Sequence, residues 1–183
     1  MNSLQGHLLI ASPQLLDPNF VRTVILIVQH NDEGALGVTL NRRTETQLKR
    51  VWSQVSQSDC ESEEPLYLGG PCQGPLLAIH IDHTLANIEI LPGVFYTAES
   101  EKLEELVAEK DKLARFFAGY AGWGAGQLEK ELGESSWETM PAGVEHVFHD
   151  GDDLWQTVRK ELSSAVLLST LHIKHVPPDP SMN

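Results

Sequence analysis

The stretch FFAGYAGWGAGQLEKEL, residues 116–132, restricts the fold of this chain more than any other. An apolar run over residues 113–120 leads into Gly122, Gly124 and Gly126, with Trp123 between the first two. A charged pattern of helical period follows from Gln127, so the order is strand, glycine turn, helix. Glycine permits backbone conformations and close approaches that a Cβ forbids. A bulky indole inside such a turn is therefore packed or used. The packing reading expects Trp123 at least half buried, with its indole N–H bonded to a backbone carbonyl or a side chain. It also expects Gly124→Val to destabilise by about 1–3 kcal/mol, through a positive φ and crowding. The functional reading aims the N–H groups of this turn at an anion. The spacing is neither GxGxxG nor a Walker loop, and Glu129, Glu131 and Glu134 would repel a phosphate there.

The remaining elements are read outward from this stretch. Residues 6–11 (GHLLIA) and 23–29 (TVILIVQ) are apolar strands, and the second is continuous enough to predict burial on both faces. NDEG at 31–34 is a turn, and residues 37–40 return to complete a hairpin. After Asn41-Arg42-Arg43, Thr44 and Gln47 fit a capping box, which opens a helix with Leu48, Val51, Trp52 and Val55 facing inward. Residues 56–64 (SQSDCESEE) form a polar, mobile loop. Further strands are predicted over 66–68, 76–81, 88–91, 94–96, 112–118, 137–140 and 144–148, and Gly69-Gly70-Pro71 is a tight turn. Helices are predicted over 100–110, over 127–132 with Gly133 as terminator, and from Asp152 or Asp153 onward. Residues 165–173 either extend that last helix or form a final strand. Residues 1–175 are expected to be one domain, with 176–183 a flexible tail. Strands and helices without regular alternation predict α+β, with mostly antiparallel pairing.

Charge bears on partners. The 183-residue chain carries 13 Lys and Arg against 26 Asp and Glu, for a formal net charge of -13. That field repels polyanions, and no helix-turn-helix with a basic recognition helix is visible, so specific DNA binding is not expected. Cys60 and Cys72 form no CxxC, zinc spacing or disulfide framework. The N-terminus lacks a basic n-region, and no run approaches the roughly 20 apolar residues of a membrane helix. The expectation is a cytoplasmic protein with no membrane segment. His80/His83, His146/His149 and His172/His175 share a face only on a helix. The first two pairs sit in strand or turn contexts, and neither a metal nor a cofactor is expected. Arg22 and Asn41 stand at paired ends of the hairpin and line one rim of the sheet. A guanidinium fork beside an amide suits an anion or a partner's carboxylate. Such a site would adjoin Gly69 and Gly70, or Gly122, Trp123 and Gly124. The alternative is a structural ion pair at Arg22 and an Asn41 that caps the strand end.

Four segments also resemble a known family. GHLLIASPQLLDPNFVRTVILIVQH with GALGVTLNR, then LYLGGPCQGPLLAIH, then GYAGWGAGQLEKEL, then Trp137 follow one another through residues 6–162. They are similar to the signatures of the AlgH/YqgE family of bacterial proteins. Arg43 stands where that family often has proline, and Cys72 where valine is usual, so no chemistry is assigned to those two positions. The resemblance implies an α+β fold with a bent, partly barrel-like sheet surrounded by helices. It also implies a function that is poorly understood, in a family often labelled as transcriptional regulators, with no established reaction or cofactor. Two readings follow. One is a non-enzymatic regulatory or binding protein that contacts a protein or a small anionic ligand. The other is an enzyme, such as a hydrolase or nucleotide-handling protein, with its site at the glycine turn and the Arg22/Asn41 rim. Nothing in these features specifies an oligomeric state.

Overall fold

A computed structural model describes residues 3–109 and 113–170. The tail over 176–183, the His172/His175 pair and the first residue of the strand predicted from Lys112 lie outside the described residues. Strands β1 (His7–Ala11), β2 (Val24–Asn31) and β3 (Gly34–Thr39) form an antiparallel meander. Then come β4 (Arg43–Gln47), α1 (Leu48–Val51), a 3-10 turn (Trp52–Gln54), β5 (Pro65–Leu68) and β6 (Cys72–His80). A second 3-10 turn (His83–Leu85), β7 (Ile88–Leu91), β8 (Val94–Thr97) and α2 (Ser100–Ala108) follow. The chain continues through β9 (Ala114–Gly124), α3 (Gln127–Gly133), β10 (Trp137–Pro141), α4 (Val144–Val147) and α5 (Leu154–Thr170). The strand order is β10-β1-β2-β3-β9-β6-β8-β7, antiparallel throughout. Off this path, β5 pairs parallel with β9 and antiparallel with β4.

The sheet curls into a half-barrel. Gln5 Nε2, just before β1, donates to the Glu89 carbonyl on β7 at 2.9 Å, which draws distant strands of the order together. Apolar runs on β1 and β2 reflect burial on both faces. Leu8, Ile10, Val24, Leu26 and Val28 pack inward with Val147, Leu154 and Val158 of α4 and α5. Leu9, Ala11, Ile25 and Ile27 pack outward with Trp123, Leu128 and Trp137. On the other half, Leu77, Ile79 and Phe117 face in, while Leu76, Ala78 and Phe116 pack on Leu48, Trp52, Leu103 and Leu106. The α+β, mostly antiparallel expectation holds. Among the described residues no helix is long and apolar enough to cross a membrane.

Several local expectations are corrected. Residues 43–47 are strand β4, not the opening of a helix. Thr44 Oγ1 donates to the Leu66 carbonyl at 2.7 Å, and Gln47 makes no side-chain cap. Cross-strand pairing with β5 overrode the local capping pattern. Residues 144–147 are helix, with His146 and Val147 N–H bonded back to the Gly143 carbonyl at 3.1 and 3.2 Å. One His of the His146/His149 pair therefore lies on a helix. Strand β9 runs through Gly122 and Gly124, so the turn comes only after it, with Gly126 at φ 72°. Gly124 lies in open space, where an added Cβ would have only Gln127 Oε1 at 4.0 Å. Neither a positive φ nor a crowded Cβ position is present at Gly124, so both grounds for the expected Gly124→Val destabilisation fall away. Ser135 at φ 57°, rather than Gly133, takes the left-handed conformation after α3. Residues 165–170 extend the last helix.

Histidine fixes α3 to the sheet. His30 Nδ1 accepts the Leu4 N–H at 3.0 Å, so its Nε2–H donates to Glu129 Oε1 at 2.7 Å. The Glu129 carboxyl is held below its ordinary 4.5, first by its own backbone N–H and then by His30, against a desolvation that raises it. A depressed folded-state value contributes stability above the unfolded pKa and loses it as pH falls through the folded one. The Tm difference between wild type and Glu129→Gln is expected to be largest near neutrality and to shrink below about pH 4.5, where the protonated acid resembles the amide. Melting curves across that range test this, and a pH-independent difference would refute it.

Candidate functional site

The rim residues come together: the Asn41 amide is used by the fold, while the exposed Arg22 guanidinium has only a ring contact among the described residues. Asn41 Nδ2 donates to the Arg22 carbonyl at 2.8 Å, and Asn41 Oδ1 accepts the Val24 N–H at 2.9 Å. The amide thus clamps the start of β2 to the end of its partner. Arg22 adopts φ 54° and lays its guanidinium 5.7 Å from the centroid of the Trp155 ring. The Gly69-Gly70 turn lies at the same end, since Thr39 N–H bonds the Gly69 carbonyl at 2.8 Å. Gly122 adjoins this turn, since Gly70 abuts the Tyr120 and Ala121 backbone and the Cβ position of Gly122 lies 3.8 Å from Cys72 Sγ, but Trp123 and Gly124 lead away from it. Gly124 pairs with Gly34 at the start of β3, whereas Asn41 follows its end, up to roughly 24 Å away at about 3.4 Å per residue.

Trp123 is 6% exposed, and its Nε1–H donates to Glu131 Oε2 at 3.0 Å. Trp137 Nε1–H donates to the same oxygen at 2.9 Å, with the two rings edge to face. Gln127 Nε2 holds the other oxygen at 3.0 Å. This cluster is packing that joins α3 to the sheet.

The concave chemistry lies beside this rim and adds Arg43, Tyr67, Arg115 and Asp150 to Asn41. A cavity of about 120 Å³ is lined by Leu40, Asn41, Arg43, Tyr67, His149, Asp150, Gly151 and Asp152. A second, of about 310 Å³, is lined by Arg43, Glu64, Pro65, Tyr67, Leu113, Ala114, Arg115, Phe148 and Asp150. The two share Arg43, Tyr67 and Asp150, so they form one cleft. Sheet pairing builds it: Arg43 on β4 sits opposite Tyr67 on β5, and β9 brings Arg115 beside them. The segment after α4 closes the end with His149 and Asp150.

Electrostatics distinguish the two arginines. Arg115 is 9% exposed; it donates through Nη2 to the His149 carbonyl and lies 4.9 Å from the Tyr67 ring centroid. Burial pushes its pKa down, with nearby Tyr67, Asp150 and Glu64 opposing and Arg43 assisting. A guanidinium stays charged at neutral pH regardless. Arg43 is exposed, and among the described residues its side chain makes no hydrogen bond or ion pair. His149 Nε2 and Asp153 Oδ1 lie 2.8 Å apart, and that bond is the main cause that holds the Asp153 carboxyl below its ordinary range. Among the described residues no group of three or more His, Cys, Asp or Glu is placed to hold a metal.

The sequence model of the AlgH-like family matches residues 8–166. The chain belongs to the AlgH-like family. It is 44% identical over 153 residues to a UPF0301 protein of Chlorobaculum tepidum, covering 79% of each chain. It is 41% identical over 162 residues to one of Xanthomonas campestris pv. campestris, covering 84% of this chain and 86% of that one. Among solved structures it is similar to the solution structure of the AlgH protein from Pseudomonas aeruginosa, at 30% identity, TM-score 0.71 and 96% coverage of both. A crystal structure from Corynebacterium diphtheriae matches at 26% identity and TM-score 0.69, covering 88% of this chain and 87% of that one. The AlgH-like half-barrel is thus shared. Arg43, to which the resemblance assigns no chemistry, lines both cavities.

Proposed function

We propose that this AlgH-like protein is a non-enzymatic binding protein of regulatory type, and that it takes a small anionic ligand in the cleft between β4, β5, the start of β9 and the segment after α4. The observation that carries this is Arg43, whose guanidinium has no hydrogen-bond or ion-pair partner among the described residues and stands at the wall shared by both cavities, beside the buried Arg115. The buried Arg115 guanidinium, held by the His149 carbonyl, supplies a fixed charge beside the free fork of Arg43, and a carboxylate or phosphate gains charge-assisted hydrogen bonds from such a fork. Asn41 lines the smaller cavity, so one member of the expected rim belongs to this reading. The formal charge of -13 supports a target other than duplex DNA, even for a role in transcription. The two isolated cysteines support a reducing, cytoplasmic setting.

The test is a thermal-shift and NMR titration with small carboxylates, phosphate esters and, as a comparison, duplex DNA. Wild type is expected to show a ligand-dependent rise in Tm that follows RT ln(1 + [L]/Kd), and Arg43→Ala is expected to weaken binding by about tenfold or more while folding normally. Equal responses from both proteins would sink the proposal. One observation favours the enzymatic alternative: Asp153 orients His149 on the wall of the same cleft, as an orienting carboxylate does for a general base. Turnover of small esters that disappears in His149→Ala would replace the binding reading with that one.

A further inference from the structure

We infer that the ligand of this cleft is dipolar, a small molecule with an amine at one end and a carboxylate or phosphate at the other. The inference rests on the reading of the cleft as an anion site and specifies what that anion must also carry. Arg43 and Arg115 line the cleft, and so do Glu64, Asp150 and Asp152. Opposite charges on neighbouring side chains ordinarily close to ion-pair distance. Here none of the three carboxylates pairs with either guanidinium, although Arg115 senses Asp150 and Glu64 electrostatically. Arg115 donates to the His149 carbonyl instead, and Arg43, Asp150 and Asp152 stand exposed around the cleft.

A purely anionic ligand beside the arginines would also face Asp150, the residue shared by both cavities, and lose much of its attraction. A purely cationic ligand would meet Arg43 in the same way. A dipolar molecule satisfies both, with its anionic end on Arg43 and Arg115 and its ammonium toward Asp150 and Asp152. Tyr67, Pro65 and Phe148 supply apolar wall for the carbon chain between the two ends. The larger cavity, at about 310 Å³, lies at the small end of ligand pockets. That suits a molecule the size of an amino acid or an aminoalkyl phosphate.

The experiment compares matched ligands by calorimetric titration: γ-aminobutyrate against butyrate, 2-aminoethyl phosphate against ethyl phosphate, and butylamine alone. Wild type is expected to bind an amine-bearing anion about tenfold more tightly than its partner without the amine. The double variant Asp150→Asn, Asp152→Asn, at two exposed positions, is expected to fold as wild type does and to lose that preference. Which pair shows the effect separates a carboxylate ligand from a phosphate one. Equal binding within both pairs overturns the inference and leaves the anion-site reading standing. A preference that survives in the double variant, or butylamine binding as tightly as γ-aminobutyrate, also overturns it. No binding by any anion overturns both readings.

Discussion

Gly70→Ala is expected to lower the Tm by at least about 10 °C and to cut the soluble yield sharply. A Cβ on Gly70 would stand 2.2 Å from the Tyr120 carbonyl carbon, 2.3 Å from its oxygen and 2.4 Å from the Ala121 nitrogen. All three are backbone atoms of β9, so no side chain can swing aside. Gly69 meets the same strand, with its Cβ position 2.2 Å from the Gly119 oxygen. Gly119 in turn adopts φ 72° and packs against the Gly70 and Cys72 carbonyls. The turn between β5 and β6 is thus seated directly on β9. Relieving the clash requires lifting strands whose registers, Leu66↔Phe116 and Leu76↔Ala118, align the core. Overpacking that side chains can absorb costs about 1–3 kcal/mol. A backbone clash exceeds that, and each kcal/mol shifts Tm by about 2–4 °C in a chain of this length. Gly124→Val is the matched control and is expected to melt within about 2 °C of wild type, because only open space surrounds it. Circular-dichroism melting of the two variants decides the matter. A Gly70→Ala protein as stable as the control would show that the two strands do not interlock.

Glu131→Leu is expected to be nearly as damaging, at about 2–6 kcal/mol. Its carboxylate accepts both indole N–H groups, from Trp123 at 6% exposure and Trp137 at 4%. Removing the acceptor strands two buried donors, at about 1–3 kcal/mol each. Glu131→Gln keeps one acceptor oxygen and is expected to fall between. Urea unfolding at neutral pH measures both, and a Leu variant within about 0.5 kcal/mol of wild type would mean that water or another oxygen replaces the acid.

The sequence reading caught what local pattern encodes. Residues 24–28 are buried without a break, as a two-faced strand should be, and the β2–β3 hairpin follows from its turn. The packed role of Trp123 was legible in the glycines around it. Its acceptor was not: Glu131 was weighed as a repellent charge, although Gln127 and Glu131 lie four apart on one helix face. Residues 43–47 and 144–147 were misassigned because distant partners or a single glycine decided their state. Arg22 and Asn41 could be placed together because one hairpin register brings them there. Arg43, Tyr67, Arg115 and Asp150 come from four separate segments, joined by a parallel β5–β9 pairing that no local motif announces. Two hints were available: an arginine inside an apolar strand at 115, and the acidic run at 150–153.

The strand order has a consequence for synthesis. β1 lies between β2 and β10, and β3 lies between β2 and β9. When the first three strands leave the ribosome, both outer partners are still unmade, since β9 begins at Ala114 and β10 at Trp137. At about 5–20 residues per second, the meander waits several seconds with both margins unpaired and both faces greasy. That is the arrangement that recruits strands from other chains. The meander is therefore most open to pairing with other nascent copies in that interval, long before the cleft exists.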